Sequence, residues 1–189
     1  MVLFYNIMSE LFNELSNIDT SGSVDKSQIV GGIKDCAEKN GYTVNELNDQ
    51  KPWGAYLKFY DDEADSFVAD LFPGLSSIDA RLGNKKAELS PKILIVSPDQ
   101  RLSWQYHNRR AERWSFLTDG LYNKSLTDQE QTVQAIKSGD VVQFAASERH
   151  RLIGRVAAYT LVAEIWQHTD STNLSNEDDI VRLSDDYSR

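Results

Sequence analysis

The sequence predicts a mainly β fold, an antiparallel sandwich or barrel, with α-helices ahead of it. Short apolar runs crowd the later part of the chain, at 93–96, 102–107, 114–117, 132–136, 141–144 and 156–166. Turn-forming residues separate them, at Ser97-Pro98-Asp99, Asp119-Gly120 and Ser138-Gly139-Asp140. Many short strands with regular turns belong to sandwiches and barrels. Nearer the start, apolar residues recur at helical rather than strand spacing.

The elements follow in order. Leu3/Phe4, Ile7/Met8, Leu11/Phe12, Leu15 and Ile18 predict an amphipathic helix over 2–18, broken by Asp19-Thr20-Ser21-Gly22-Ser23. A second helix is expected over 25–40, with Ile29, Ile33 and Cys36/Ala37 as its stripe and Gly41 as its cap. Its Gly31-Gly32 pair works against it. Tyr42-Thr43-Val44 reads as a strand, and 53–60 alternates aromatic and aliphatic residues. An acidic stretch, 61–72, suits a short helix closed by Pro73-Gly74. The tail over 177–186 mixes acidic with apolar residues, as an ordered segment would. The expected division is a helical extension over 1–48 and a β domain with its tail over 49–189.

Composition narrows the function. The chain has 189 residues and a net charge of −9, against the basic face that phosphate neutralisation on nucleic acid needs. The same charge argues against docking on anionic lipid. No run approaches the ~18 apolar residues of a membrane helix. The start is apolar but lacks a basic flank, and Glu10 interrupts it, so it does not read as a secretion signal. Cys36 is the only cysteine; no disulfide can form within the chain, and a cytoplasmic protein is expected. Four Trp and eight Tyr suit strands or a surface that faces carbohydrate.

The chemistry concentrates around the few histidines, His107, His150 and His168. Gln105 and His107 stand two apart, so on a strand both point to one face. Glu112 follows after a short turn and could return on the adjacent strand, and His150 opens a later one. An amide oxygen, two imidazoles and a carboxylate converging inside a barrel would make a first-row divalent site. Spacing alone also fits a solvated strand face. His168, near the end of the last strand, is expected to be exposed. Lys92 could point inward or run outward over apolar surface.

Two stretches resemble cupin motifs. The first runs from Ser97 through Gln105-Tyr106-His107 and Glu112-Arg113-Trp114 to Gly120, the second from Gly139-Asp140 to His150. Three ordered pieces narrow the resemblance to the cupin domain of type II mannose-6-phosphate isomerases. They are Lys51-Pro52-Trp53-Gly54, then Gln100 through Trp114, and then Glu177 through Arg189. The similarity covers about residues 50 to 189. It implies a cupin double-stranded β-helix, a jelly-roll barrel, with N-terminal α-helices. It also implies one divalent ion, zinc first with iron, manganese or nickel also compatible, held by Gln105, His107, Glu112 and His150. The resemblance further implies that Arg110 faces the substrate, and that Lys51, Arg182 and Arg189 are candidates for its phosphate. The family usually has His at the positions of Asn108, Arg109 and Arg113, Pro and Gly at Ala145 and Ser147, and Gly at Ser188; these departures leave the ligand set intact.

The reaction implied is aldose–ketose isomerisation of a sugar phosphate, most simply mannose 6-phosphate to fructose 6-phosphate. Such a reaction moves a proton between C1 and C2. Arg110, permanently protonated, suits the stabiliser of the developing oxyanion; a surface strand arginine would read the same way. No sequence feature identifies the base. Glu164, on the strand face shared with Val162 and Trp166, is a candidate, and a strand-end ion pair is its other reading. Trp53 could stack on a sugar or pack in the core. Two other functions stay open: a metal cupin isomerase or epimerase acting on another sugar or sugar phosphate, and a non-catalytic sugar-binding regulatory cupin. Trp104 and Tyr106 should face away from the ligands, where a second copy of the chain could cover them in a homodimer.

Overall fold

A computed structural model describes residues 8–187. Two helices come first, α1 (Glu10–Ser16) and α2 (Lys26–Lys39). The hydroxyl of Ser9 caps α1 by accepting from Phe12 N, so within the described residues the predicted helix starts only at Glu10; residues 1–7 lie outside them. Asp25 and Gln28 close a capping box at the start of α2. Two strands follow, β1 (Val44–Lys51) and β2 (Gly54–Phe59), then a 3-10 turn (Asp61–Glu63) and α3 (Ala64–Leu71) and α4 (Ser77–Ala80). The remaining strands are β3 (Lys92–Val96), β4 (Trp104–Tyr106), β5 (Arg110–Phe116), β6 (Gly120–Ser125), β7 (Gln134–Ile136), β8 (Val141–Phe144), β9 (Arg149–Ile153), β10 (Thr160–His168) and β11 (Val181–Ser184). The expected division at residue 48 falls within β1.

The strands form two antiparallel sheets, β1-β2-β3-β10-β5-β8 and β11-β4-β9-β6-β7. Alternation on β10 explains how they pack. Leu161, Ala163 and Ile165 face the core shared with the helices, alongside Leu57, Ile93, Ile95 and Phe67. Val162 faces the other core, with Leu94, Trp114, Phe116 and Phe144 of its own sheet and Tyr122 and Leu152 of the second. The helices therefore cover the outside of the six-stranded sheet, and the inside faces the five-stranded one. Because β10 is central and covered on both sides, eight of its nine residues are buried. No helix among the described residues is long and apolar enough to cross a membrane.

Sequence periodicity misplaces several strands, for physical reasons. Val44 was expected to end a short strand; instead it begins β1, whose mostly polar residues are partly or fully exposed because it is an edge strand paired only to β2. β6 reads as polar because Asn123, though buried, spends its amide on Gln131 N and Gln131 O. β5 starts at Arg110 rather than at 114, and β10 at Thr160 rather than at 156. Trp104 does face away from the cavity, but its own chain covers it: the indole N–H donates to Asp128 O at 2.7 Å, and the ring is buried.

The β1–β2 turn depends on Gly54, whose φ of +149° few side chains tolerate and whose missing Cβ would stand 1.9 Å from Ile95 O. Gly54→Ala must therefore push β2 off β3. Urea denaturation is expected to show a loss of about 2–4 kcal/mol, the range of an overpacked, strained backbone site; a loss below about 0.5 kcal/mol would mean that the turn relaxes freely.

Candidate functional site

The inner faces enclose a cavity of about 370 Å³. One row of directly paired residues crosses the large sheet on that side: Glu46, Lys58, Lys92, Glu164 and Trp114. Glu112 lies one step further along β5, opposite Trp166. From the small sheet, Gln105 pairs directly with His150 on one side and Arg182 on the other. All four residues of the expected ligand set, scattered over 46 positions of sequence, thus reach one space.

His107, Glu112 and His150 form the centre of it. Their ligand atoms lie within 4.8 Å of one another and all three residues are buried. His107 Nε2 is 2.9 Å from Glu112 Oε1, and His150 Nε2 is 3.3 Å from Oε2. The other ring nitrogens decide the tautomers. His107 Nδ1 faces Asp179 O at 2.5 Å and His150 Nδ1 faces Glu148 O at 2.9 Å. A carbonyl only accepts, so both Nδ1 atoms carry the proton, and in the neutral rings both Nε2 atoms are bare. Two bare nitrogens then confront a carboxylate, and both of these nitrogens and Glu112 Oε2 lack a hydrogen-bond donor or acceptor partner. Lone pairs cannot meet at such distances without a cation between them, a proton or a metal. The donor set is compatible with a first-row divalent ion, with the Nδ1 bonds fixing ring orientation as metal sites require. Gln105 stands beside it; its Oε1 accepts from Ser103 Oγ at 2.6 Å.

Charge reinforces the arrangement. Burial alone would raise the Glu112 pKa. Arg110, and a positive charge shared with the two facing imidazoles, hold it well below the usual carboxylate range. Arg110 is buried; its Nε donates to Glu112 Oε1, and its Nη1 donates to Ser175 Oγ, Asn176 O and Asp179 O. Its guanidinium lies 4.2 Å from the Trp166 ring centre, a cation–π contact. Nη2 has no hydrogen-bond partner among the described residues, and Arg110 lines the cavity.

Glu164 lies mid-strand, so it is not a strand-end ion pair. Trp114 Nε1 donates to its Oε2 at 3.0 Å. Burial first, then the charge of Glu112, raises its pKa to about 7, with Lys92, Arg110 and the indole bond working in the opposite direction. Lys51, Trp53 and Arg182 all line the cavity; Trp53 is also a buried member of the inter-sheet core. Arg189 lies outside the described residues. Lys92 points inward, 5.0 Å from the Trp166 ring centre. The expectation for His168 is overturned: it is buried, and its Nε2 faces Glu88 O at 2.7 Å while Nδ1 accepts from Ser175 N. The loop from β10 back over the cavity covers it.

Several site residues have no signal in spacing. Asp179 is the chief one. Its carboxylate accepts from Asn108 N, Arg109 N and Ser175 Oγ, while its carbonyl holds His107 and Arg110. Burial would raise its pKa, but the bonds from Ser175 and those two backbone N–H groups lower it. Lys58 joins Lys92 around Glu177; on β2 the apolar residues Ala55, Leu57 and Phe59 mark only the opposite face. Asn108, Arg109 and Arg113, where the related family has His, do not line the cavity. Ser147 takes a φ of +64°, which explains a glycine at that position in the related family.

Two facing antiparallel sheets with a polar, partly cationic cavity and a His-Glu-His cluster between them define a cupin. A family model described as "Mannose-6-phosphate isomerase C-terminal" matches residues 81–185, more than half of the chain, and the chain belongs to that family. Among solved structures it is similar to the capsular polysaccharide assembling protein CapF from Staphylococcus aureus, at 11% identity and a TM-score of 0.49, over 83% of this chain and 37% of that one. It is also similar to vicilin from Corylus avellana (hazelnut), at 10% identity and a TM-score of 0.45, over 65% of this chain and 31% of that one. The chain thus spans about a third of the length of each of these proteins. No curated protein matches it significantly.

The raised pKa of Glu164 has a consequence for stability. The folded protein keeps this proton up to about 7, whereas the unfolded chain releases it near 4.5. Folded protein therefore binds more protons across that window, and stability falls as pH rises through it. Glu164→Gln removes the loss. Its melting temperature is expected to gain on the parent steadily between pH 4.5 and 7 and to hold that gain above 7. A constant difference across this range would place the Glu164 pKa at its ordinary value.

Proposed function

We propose that this cupin catalyses metal-dependent aldose–ketose isomerisation of a sugar phosphate, most simply of mannose 6-phosphate to fructose 6-phosphate. One observation carries the reading. A single cavity holds a metal-compatible His-Glu-His cluster, a carboxylate with a pKa near neutrality and a buried guanidinium with an unspent donor edge. Membership of the mannose-6-phosphate isomerase C-terminal family supports the substrate class.

The chain's own residues suit the steps. Glu164 takes the proton from C2 of the open-chain aldose, exchanges it with solvent and protonates C1, while the O2 hydroxyl proton passes to O1; a pKa of about 7 lets it act as base and then acid near neutral pH. Trp114 holds one oxygen of this carboxylate, leaving the other directed at substrate. Arg110 stabilises the enediolate oxygen through Nη2, and its other donors are anchored, so little reorganisation is needed as charge develops. Trp53 packs against the sugar, and Lys51 and Arg182 line the side where a phosphate dianion would enter. A divalent ion held by His107, Glu112 and His150, with Gln105 beside them, would supply Lewis acidity toward the C1 and C2 oxygens.

Incubation of mannose 6-phosphate with the protein in deuterated water, with zinc, iron, manganese or nickel, is expected to place deuterium at C1 of fructose 6-phosphate and, on reversal, at C2 of mannose 6-phosphate. No incorporation with any of the four would reject the reading. Turnover should rise with pH through about 7 as Glu164 ionises. Arg110→Lys keeps the charge but loses the anchored fork, and kcat should fall by about a hundredfold or more; an unchanged kcat would remove Arg110 from the chemistry. His107→Ala is expected to lose stoichiometric zinc in metal analysis of the purified protein, and one retained equivalent would refute its place in the metal site.

A further inference from the structure

Lys58 and Lys92 are direct partners across β2 and β3, on the face that lines the cavity. Like charges placed opposite each other repel. Both ammonium groups also share one buried ring, at 6.0 and 5.0 Å from the Trp166 centre, with the Arg110 guanidinium close to the same indole. Three cations around one indole call for anions. Part of the answer is Glu112, which pairs with Arg110, and Glu88, which reaches Lys58 at 2.7 Å. The rest is Glu177, on the segment between β10 and β11. Its Oε1 lies 2.9 Å from Lys58 Nζ and 3.0 Å from Lys92 Nζ; its Oε2 accepts from Lys92 at 3.1 Å and its Oε1 also from Ser90 Oγ at 3.1 Å.

Glu177 differs from the other anions in how it is held. Its neighbours on the segment are anchored, Ser175 to His168 and Asp179, and Asp179 to the β4–β5 turn. The side chain of Glu177 is 53% exposed. It can leave the lysines by rotating about its own bonds, with the backbone still fastened on both sides. What it would vacate is a seat with two ammonium groups and a hydroxyl, next to Glu164 in the same cross-strand row.

We propose that Lys58 and Lys92 form the seat for the anionic group of the substrate, and that the Glu177 carboxylate is a built-in competitor that a phosphate displaces. This deepens the proposed function, because it assigns the substrate's charged end to lysines other than Lys51. Lys92 lies one strand, about 5 Å, from the strand of Glu164 and two from that of Glu112, and Lys58 one strand further from each, so a sugar held there by its phosphate extends toward the proton-transferring end of the cavity. The competitor also makes binding selective. A monoanion offers little over the carboxylate it replaces, whereas a dianion gains a second charge between the two lysines.

The test is calorimetric titration of the whole chain with inorganic phosphate at fixed ionic strength. Glu177→Gln keeps the shape and removes the charge, and phosphate should bind on the order of tenfold more tightly than to the parent. Asp178→Asn removes the same charge from the adjacent exposed residue and should change affinity less than about twofold. Adding Lys92→Met to Glu177→Gln should abolish the gain, and thermal melts verify that each variant is folded. The proposal is overturned if Glu177→Gln leaves phosphate affinity unchanged or lowers it. Equal gains in Asp178→Asn, or a gain that survives Lys92→Met, would also overturn it. Phosphate titration reads no turnover, so a failed isomerase assay and a failed titration remain separate results.

Discussion

Glu112 is an ionised carboxylate set on the inner face of a sheet whose neighbouring positions are Trp114, Phe116 and Phe144. Removing such a group from water costs several kcal/mol even after relaxation, and the surrounding structure is organised by that cost. His107 and His150 turn Nε2 toward it, which compensates the carboxylate through a cation shared among the three, and Arg110 donates to it from the same strand. Each of those three must itself be held, because a buried donor or base in the wrong orientation would add a penalty of its own. The Asp179 carbonyl holds His107 and Arg110; the Glu148 carbonyl holds His150.

The segment between β10 and β11 consequently does more than close the molecule. Asp179 fastens it to the β4–β5 turn by three hydrogen bonds, Ser175 fastens it to His168, and Arg110 is gripped from its backbone. An irregular segment at the end of the chain therefore sets the orientation of groups on strands that precede it by about seventy residues. Along the same segment, Glu177 is the side chain that remains half in solvent while lying on two lysines. Rigid anchoring on either side of one movable charge allows the cavity to exchange an internal anion for an external one without opening the fold.

Two titrating carboxylates in one cavity are pushed apart by their surroundings. Glu112 has Arg110 and a charge shared with the imidazoles and stays ionised, whereas burial and the charge of Glu112 raise Glu164 toward neutrality against one indole N–H and a lysine across the strand. The separation follows from register alone. Glu164 pairs with Trp114 and Lys92, whereas Glu112 pairs with Trp166 and faces the small sheet's histidines. A shift of one residue in β10 would exchange its two faces and remove Glu164 from the cavity.

Much of this was legible in the chain before folding. Alternation and turn residues announce β3, β8 and the core of β10, and the helical stripes announce α2. The Gln105, His107, Glu112 and His150 set, and Arg110, followed from the resemblance to two cupin motifs, whereas their spacing alone fitted a solvated strand face equally well. Polar strands were not legible. β1 is an edge strand wet along most of its length, and Asn123 in β6 is satisfied by a partner that no periodicity reveals. Lys58, Trp166, Glu177 and Asp179 act through contacts across strands or over scores of residues. Composition and local pattern, which depend on near neighbours, determined the fold class, the chemistry of the ligand atoms and the acidic character of the chain. Tertiary structure decided which charges face each other, because strand register and the path of the final segment set those distances, and with them the burial that gives each charge its role.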